Sequence, residues 1–245
     1  MNYDNASIKL NRRAKLTPVN QVKYLGMYID KYLSWNFHIN ELSKKLSRAN
    51  GILSKLRYNA PLETCLQVYY AIFYSHLIYG CNVWGLSTEG NINTIEVLQK
   101  KCVRILSFAP FKAHTNQLFI ALGLLKVRDI IKCQQLKLVY DFYEKNMPTD
   151  LMTLFQSSAE AHTTDMNLNS NIKRLIHRIK TKTYGLKSIK YHCAELWNEF
   201  FKKGIAIDCE RKNNISFDKL KSGKHFQKVL KRHYLYMYTL AEDDE

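Results

Sequence analysis

The sequence lacks the residue spacings that build disulfide frameworks and zinc sites in small proteins. Its six cysteines include no C-x-x-C pair, and none of its eight histidines stands in an H-x-x-x-H arrangement. Four of the cysteines fall inside helical patterns, which is typical of buried thiols. We therefore expect reduced cysteines, no metal site and an intracellular location, nuclear or cytoplasmic.

Long apolar runs and phosphate-binding loops are absent as well. The most apolar stretch, residues 62–84, contains Glu63, Gln67, His76 and Asn82, so we predict a core helix there and no membrane span. Residues 1–5 are polar and contain no signal-peptide core. The chain has no Gly-rich phosphate loop and no G-x-S-x-G element, which removes the usual sequence signals of nucleotide hydrolases and serine hydrolases.

Acidic residues are scarce. The chain has 21 Asp and Glu against 37 Lys and Arg, so its formal net charge is +16. The excess is uneven, with +8 over residues 1–57, +2 over residues 58–157 and +12 over residues 172–241. Such a surplus favours a polyanionic partner, because each neutralised phosphate releases counterions. A basic surface that is merely solvated is the alternative.

Residues 6–30 have the pattern of a small β element. We predict Ile8–Leu10 and residues 22–29 as the two strands of a hairpin. Gly26 inside the second strand predicts a close approach of another part of the backbone. Because an isolated hairpin is marginally stable in water, this one is expected to pack against helices.

Residues 36–57 form the clearest helical pattern. Apolar side chains recur every three or four positions and make one seam: Ile39, Leu42, Leu46, Ala49, Leu53 and Leu56. A second face carries Lys44, Lys45, Arg48 and Lys55. A helix held by its seam can lay such a face along a duplex backbone, which positions a nucleic acid without reading its sequence. An ordinary solvated basic face is the alternative.

The remaining chain is predicted to be mainly α-helical, and the fold is predicted to be a helical bundle with a small N-terminal β-hairpin. The predicted helices are 61–80, apolar nearly all round and therefore central, then 91–108, 127–146, 188–201 capped by Ser188, and 217–240 capped by Ser216. Residues 157–171 are polar and small, which indicates a linker. The predicted units are a hairpin (1–35), a helical bundle (36–156), the linker (157–171) and a basic C-terminal helical region (172–245).

A second basic block follows the linker. It contains Lys173, Arg174, Arg178, Lys180 and Lys182, with Tyr184 and Tyr191 close by. Basic residues interleaved with aromatic rings suit single-stranded or irregular RNA, whose bases can stack. A charged linker is the alternative.

Several short motifs together carry a family resemblance. They are Val22-Lys-Tyr-Leu-Gly26, Leu33-Ser-Trp35, Tyr79-Gly80, Val83-Trp84-Gly85, Leu98-Gln-Lys-Lys-Cys-Val-Arg104, Thr183-Tyr-Gly185 and Leu196-Trp197-Asn198. In this order and spacing they resemble the end of the palm, the thumb and the downstream region of reverse transcriptases from non-LTR, LINE-type retrotransposons of the jockey kind. The resemblance extends over most of the chain.

The resemblance implies roles for particular residues. It implies that helix 36–57 is the first thumb helix, which grips the primer–template duplex, and that Tyr24, Leu25 and Gly26 form a primer-grip-like element. The family's Tyr/Phe-x-Asp-Asp hairpin, which holds Mg²⁺ in the parent enzyme, does not occur in this sequence. The nearest match, at residues 241–244, is better explained as a solvated acidic tail.

The expected function is therefore that of a reverse-transcriptase fragment. It would bind RNA and RNA–DNA duplex, require no cofactor of its own and lack polymerase activity by itself. Two alternatives stay open. One is a helical protein-interaction module that uses the 62–84 surface, including self-association through the surface a missing palm would leave exposed. The other is a remnant without function.

Overall fold

The structure, a computed structural model, describes residues 8–10, 14–16, 19–157, 175–176, 188–202 and 222–243. Helices dominate these ranges, which confirms the mainly α prediction. They are α1 (Asn36–Leu56), α2 (Leu62–Val68), α3 (Ser75–Ile78), α4 (Cys81–Trp84), α5 (Glu89–Leu106), α6 (Asn116–Ala121), α7 (Val127–Tyr143), α8 (Thr149–Met152), α9 (Ile189–Lys202) and α10 (Gly223–Asp243). A π-helical segment, Tyr69–Tyr74, joins α2 to α3.

The strands of the described ranges form three small antiparallel pairs. The pairs are β1 (Ile8–Leu10) with β2 (Ala14–Leu16), β3 (Gln21–Tyr24) with β4 (Met27–Asp30), and β5 (Gln156–Ser157) with β6 (Leu175–Ile176). The predicted single strand over 22–29 is therefore wrong, because this segment folds back on itself. The predicted pairing of Ile8–Leu10 with that segment is wrong as well, because Ile8–Leu10 pairs with Ala14–Leu16. Leu25 and Gly26 both have positive φ, 45° and 79°, as tight two-residue hairpin turns often require.

The helix predicted over 61–80 was wrong in two respects: it is not buried all round, and its middle is not regular α-helix. One side of this segment is buried, through Cys65, Tyr69, Phe73 and Leu77. Tyr70, which directly follows Tyr69, is exposed. These buried residues are spaced by four, which exceeds the 3.6 residues of an α-helical turn. The wider π-helical turn in the middle of the segment keeps all four side chains directed at the core.

The C-terminal helices are capped by serine hydroxyls. The Ser188 hydroxyl accepts a hydrogen bond from the Tyr191 N–H at 3.3 Å, which confirms the predicted start of α9. Helix α10 begins at Gly223, later than predicted, and its cap is Ser222, whose hydroxyl accepts from the His225 N–H at 3.2 Å. The predicted cap, Ser216, lies outside the described residues.

Helices α1 and α5 pack side by side and run parallel. Near their starts, the Asn91 amide donates to the Ser34 carbonyl at 3.2 Å. In the middle, the Asn50 amide donates to the Leu98 carbonyl at 3.0 Å. Near their ends, the Arg57 guanidinium donates to the Ile105 carbonyl at 2.9 Å. The predicted seam of α1 is buried in this packing, apart from Leu56, which is half-buried.

Helix α7 connects two hydrophobic clusters. Val127, Ile130 and Ile131 belong to the first cluster, with α1 to α5. Further along α7, Leu136 and Val139 belong to the second, with side chains of α9 and α10. The predicted unit boundary at 157–171 lies outside the described residues except for Ser157, so it stays a prediction.

Buried polar side chains fix the start of α7. The Gln99 amide donates to the Leu125 carbonyl at 2.8 Å, and its oxygen accepts from the Val127 N–H at 2.7 Å. From α10, the Tyr238 hydroxyl donates to the Asp129 carboxylate and accepts from the Lys126 N–H at 3.0 Å. Helix α10 is thereby fastened to the first cluster as well as to the second.

The cysteines behave as the sequence predicted where they are described. Cys65, Cys81, Cys102, Cys133 and Cys193 are buried free thiols, and burial raises the pKa of Cys81 and Cys193 to about 12. Cys209 lies outside the described residues. In the same ranges, no helix combines the length and the apolar character that a membrane crossing requires.

The Asp30 carboxylate joins the β3–β4 hairpin to the start of α1. One oxygen accepts from the N–H groups of Tyr32 and Ser34, both at 3.0 Å. The other accepts from the Ser34 hydroxyl at 3.1 Å and from the Trp35 N–H at 2.8 Å. Burial opposes the charge of this carboxylate, but these hydrogen bonds outweigh it and hold its pKa below 3.8.

We predict that Asp30→Ala lowers the free energy of unfolding at neutral pH by about 1–2 kcal/mol, because it removes charge-assisted hydrogen bonds. Urea titration measures this. Asp30→Asn keeps one acceptor oxygen, so its free energy of unfolding should lie between those of the parent and Asp30→Ala. Because the folded-state pKa of Asp30 is depressed, the gap between parent and Asp30→Ala should shrink as the pH falls below 3.8. Equal stability of parent and Asp30→Ala at neutral pH would contradict this role.

Candidate nucleic-acid interface

The basic face of α1, defined as Lys44, Lys45, Arg48 and Lys55, points away from the core. All four residues are exposed, whereas the seam on the opposite side of the helix is buried. From Lys44 to Lys55 the helix advances about 16 Å. The basic face is therefore a linear row of cations on a helix whose own position is fixed by its packing.

One of these cations is already engaged. The Lys44 ammonium forms an ion pair with the Glu41 carboxylate at 2.5 Å, and the hydrogen bond from Lys44 lowers the pKa of Glu41. Lys45, Arg48 and Lys55 have no carboxylate within ion-pairing distance among the described residues. Three charges of the basic face are thus available to an anionic partner, and the fourth competes with Glu41.

The hairpin turn and the basic face meet at one small hollow, here called the hairpin hollow. It is lined by Gly26, Tyr28, His38, Glu41, Leu42, Lys45, His76 and Tyr79. Two of the predicted site residues, Gly26 and Lys45, are therefore brought together. Tyr24 and Leu25 are exposed on the adjacent turn and do not line the hollow.

Tyr79 and Gly80 hold the hairpin in place. The Tyr79 hydroxyl donates to the Leu25 carbonyl, and the Tyr79 carbonyl accepts from the indole N–H of the buried Trp84 at 2.9 Å. Gly80 has φ +62°, and a Cβ there would lie 2.3 Å from the sulfur of Met27. The close approach that the sequence suggested at Gly26 thus occurs at Gly80, whereas Gly26 supplies the positive φ of the turn.

The pKa values of two histidines in the hairpin hollow are lowered, which favours their neutral forms. Burial lowers the pKa of His38, and the charge of Lys45 lowers it further. The same two causes, burial first, lower the pKa of His76. The Nδ1 atom of His38 accepts a hydrogen bond from the Tyr28 N–H at 3.5 Å, which requires the unprotonated nitrogen.

The sequence predicted only part of this site. His38 lies seven positions before Lys45 on α1, so helical spacing could have placed it on the same side. His76 lies on α3 and Tyr79 directly follows that helix. Tyr79 belongs to one of the motifs of the family resemblance, but no helical periodicity placed either residue beside Lys45. The second predicted block, Lys173, Arg174, Arg178, Lys180 and Lys182, lies outside the described residues.

The described residues do not fit a metal site. No group of three or more His, Cys, Asp and Glu side chains converges within these ranges. The Mg²⁺ that the resemblance implies for the parent polymerase has no such group of ligands among the described residues.

Comparison with known proteins gives one class of relative. The curated proteins that match the chain are RNA-directed DNA polymerases of mobile elements. One is the polymerase of mobile element jockey from Drosophila funebris, 29% identical over 121 residues, which are 48% of this chain and 13% of the relative. The probable polymerases of transposons X-element and BS from Drosophila melanogaster are 29% and 28% identical over 116 residues each, 46% of this chain and 13% of the relative.

These relatives confirm the resemblance to reverse transcriptases of non-LTR retrotransposons. The matched segment spans about half of this chain and about an eighth of the relatives' length. No protein-family model matches the chain, and no solved structure matches it.

The lowered pKa values of His38 and His76 predict that the free energy of unfolding depends on pH. In the unfolded chain a histidine takes up its proton near pH 6.5, whereas the folded protein disfavours the charged form. The unfolded state therefore binds more protons below pH 6.5, and the free energy of unfolding should fall as the pH drops from 7.5 to 5.5. Urea titrations at several pH values measure this fall.

Two variants assign this pH dependence to the hairpin hollow. His38→Asn keeps an acceptor near the Tyr28 N–H but does not titrate, so its stability should depend less on pH. Lys45→Gln should reduce the dependence only in part, because burial is the larger cause of the His38 shift. If stability is flat over this range, or if His38→Asn follows the parent, the histidines do not carry the effect.

Proposed function

We propose that this chain is the thumb and downstream region of a retrotransposon RNA-directed DNA polymerase, and that the basic face of α1 binds the backbone of an RNA or RNA–DNA duplex. The residues that carry the contact are Lys44, Lys45, Arg48 and Lys55. Tyr24, Leu25 and Gly26 position a primer end when a palm is supplied. The chain by itself adds no nucleotides.

The single observation that supports this proposal most is the orientation of α1. Its seam is buried against α5 and its cations are exposed, so the row of charge is rigidly placed. Lysine and arginine contacts of this kind neutralise phosphates and position a duplex without reading its bases. The relatives supply the context, since they are named as RNA-directed DNA polymerases.

A second candidate function is protein interaction through the 62–84 segment. Leu62, Tyr70, Ile78, Tyr79 and Val83 are exposed there, which leaves apolar surface for a partner or a second copy. Salt separates the two functions, because duplex binding weakens steeply as salt rises and apolar association does not.

The decisive variant is the triple Lys44→Glu/Arg48→Glu/Lys55→Glu. It should weaken binding to a blunt RNA–DNA duplex by at least tenfold at low salt, and it should lower the salt slope by about 0.9 for each phosphate that the protein no longer neutralises. Fluorescence anisotropy over a salt series measures both quantities.

The chain offers a matched control. Lys224, Lys228 and Arg232 on α10 are also exposed, and reversing them changes the net charge by the same amount. That variant should bind nearly as the parent does. Equal losses in both variants would mean that overall charge, and not the basic face of α1, governs binding, and an unaffected α1 variant would remove the thumb assignment.

Glu41→Gln should have the opposite effect. It releases Lys44 from its ion pair and removes one negative charge beside the bound phosphates. We expect duplex affinity to rise by about twofold at low salt, and the gain to disappear at high salt, where exposed charges are screened. A loss of affinity in the same anisotropy assay would show that the duplex does not contact this part of α1.

A further inference from the structure

An exposed aromatic cluster, defined as Tyr58, Phe108 and Phe111, lies where α1 and α5 end. The three residues are 70%, 55% and 81% exposed. The rings of Tyr58 and Phe108 meet edge to face with their centroids 5.6 Å apart. Phe111 follows Phe108 by three residues in the chain. Exposed aromatic rings, two of them in contact, indicate an interaction site.

Two arginines are fixed beside these rings. The Arg57 guanidinium lies 4.8 Å from the Tyr58 ring centre and 4.2 Å from that of Phe108. It donates to the Ile105 carbonyl at 2.9 Å and to the Tyr58 hydroxyl at 3.1 Å. Arg104 lies 6.0 Å from the Phe111 ring centre and donates to the Ala113 carbonyl at 3.0 Å. The cations are therefore held in position and do not have to be ordered on binding.

The two chain segments that carry the aromatic cluster have charges of one sign, and the nearest acidic residue in sequence is Glu63, directly after Leu62. Residues 42–62 and 97–128, which include the second halves of α1 and α5 and the segments that follow them, contain no Asp or Glu. Lys101 and Lys112 in the second of these segments are exposed. These features favour an anionic partner with flat rings over an apolar peptide. The positive charges attract an anion, whereas an apolar peptide would gain nothing from them.

A hollow of about 230 Å³ adjoins the aromatic cluster. It is lined by Arg57, Ala60, Leu62, Cys65, Leu106, Ser107 and Phe108. Two buried polar atoms of its lining residues, the Arg57 Nε and the Ser107 Oγ, have no hydrogen-bond partner. Both atoms are closed off from solvent, so the hollow offers an incoming base a recess beside the exposed rings and not a contact with these two atoms.

A purely structural role explains part of this arrangement. Because α1 and α5 are parallel, both negative C-terminal ends meet here, and the Arg57 guanidinium offsets them. That role accounts for the Arg57 contacts with Ile105. The φ of +52° at Phe108 is structural as well, because Phe108 forms the left-handed C-terminal cap of α5, in which the Ala109 N–H donates to the Arg104 carbonyl at 3.0 Å. The structural role does not account for the exposure of Tyr58 and Phe111.

We propose that the aromatic cluster binds an unpaired nucleotide of a single-stranded nucleic acid. The base stacks on Tyr58 or Phe111, and Arg57 and Arg104 face its ring system and phosphates. The inference rests on the proposed function for its nucleic-acid partner, but the residues that carry it lie outside the basic face of α1.

The test uses the full chain and a single-stranded DNA oligonucleotide that contains 2-aminopurine, whose fluorescence is quenched by stacking. The parent should quench it on binding. Tyr58→Leu and Phe111→Leu should reduce the quenching and weaken binding about fivefold or more for each base that loses its stack, whereas Tyr58→Trp should preserve both. Tyr32→Leu is the matched control, because Tyr32 is 67% exposed and has the Lys31 ammonium 5.6 Å from its ring centre, but lies outside the cluster.

The outcomes separate this inference from the proposed function. Lys44→Glu/Arg48→Glu should weaken blunt-duplex binding and leave the 2-aminopurine quenching intact. The basic face of α1 and the aromatic cluster are thus tested independently. The inference would be overturned if both leucine variants quenched 2-aminopurine and bound the single strand as well as the parent does. It would also be overturned if those variants altered only self-association in sedimentation experiments, or if Tyr32→Leu lost as much quenching as they do.

Discussion

The structure depends on the parallel packing of α1 against α5. Hydrogen bonds from Asn91 to Ser34, from Asn50 to Leu98 and from Arg57 to Ile105 fix the pair at its start, middle and end. Between them the seam of α1 is removed from water. This contact allows only one rotation of α1 about its axis, because any other rotation would expose the leucines and bury the lysines.

Two surfaces follow from that single constraint. Along its side, α1 presents the basic face, and near its start the hairpin turn is brought close enough to share a hollow with Lys45. At its far end, the termini of α1 and α5 place Tyr58 and Phe108 in contact. A rigid row of cations suits a duplex backbone, and exposed aromatic rings beside fixed arginines suit an unpaired base. The two proposed sites are consequently complementary and lie on one packed unit.

The sequence predicted what depends on local periodicity. The seam of α1 and the approximate extents of α1, α5, α7 and α9 were confirmed, because burial imposes a 3.6-residue repeat. The turn at Leu25 and Gly26 was missed, since a leucine with positive φ carries no pattern. The π-helical turn at Tyr69–Tyr74 was missed because its signal, apolar residues at a spacing of four, resembles an ordinary helix. His76, Tyr79 and Phe108 join their sites through tertiary packing, which no local pattern contains.

The central claim is that a duplex lies along the basic face of α1. Lysine acetylation footprinting, read by mass spectrometry with and without a blunt RNA–DNA duplex, tests it most directly. The account predicts that the duplex protects Lys44, Lys45 and Lys55, while Lys224 and Lys228 on α10 stay equally reactive in both samples. Protection confined to α10, or equal reactivity of all five lysines with and without duplex, would contradict it.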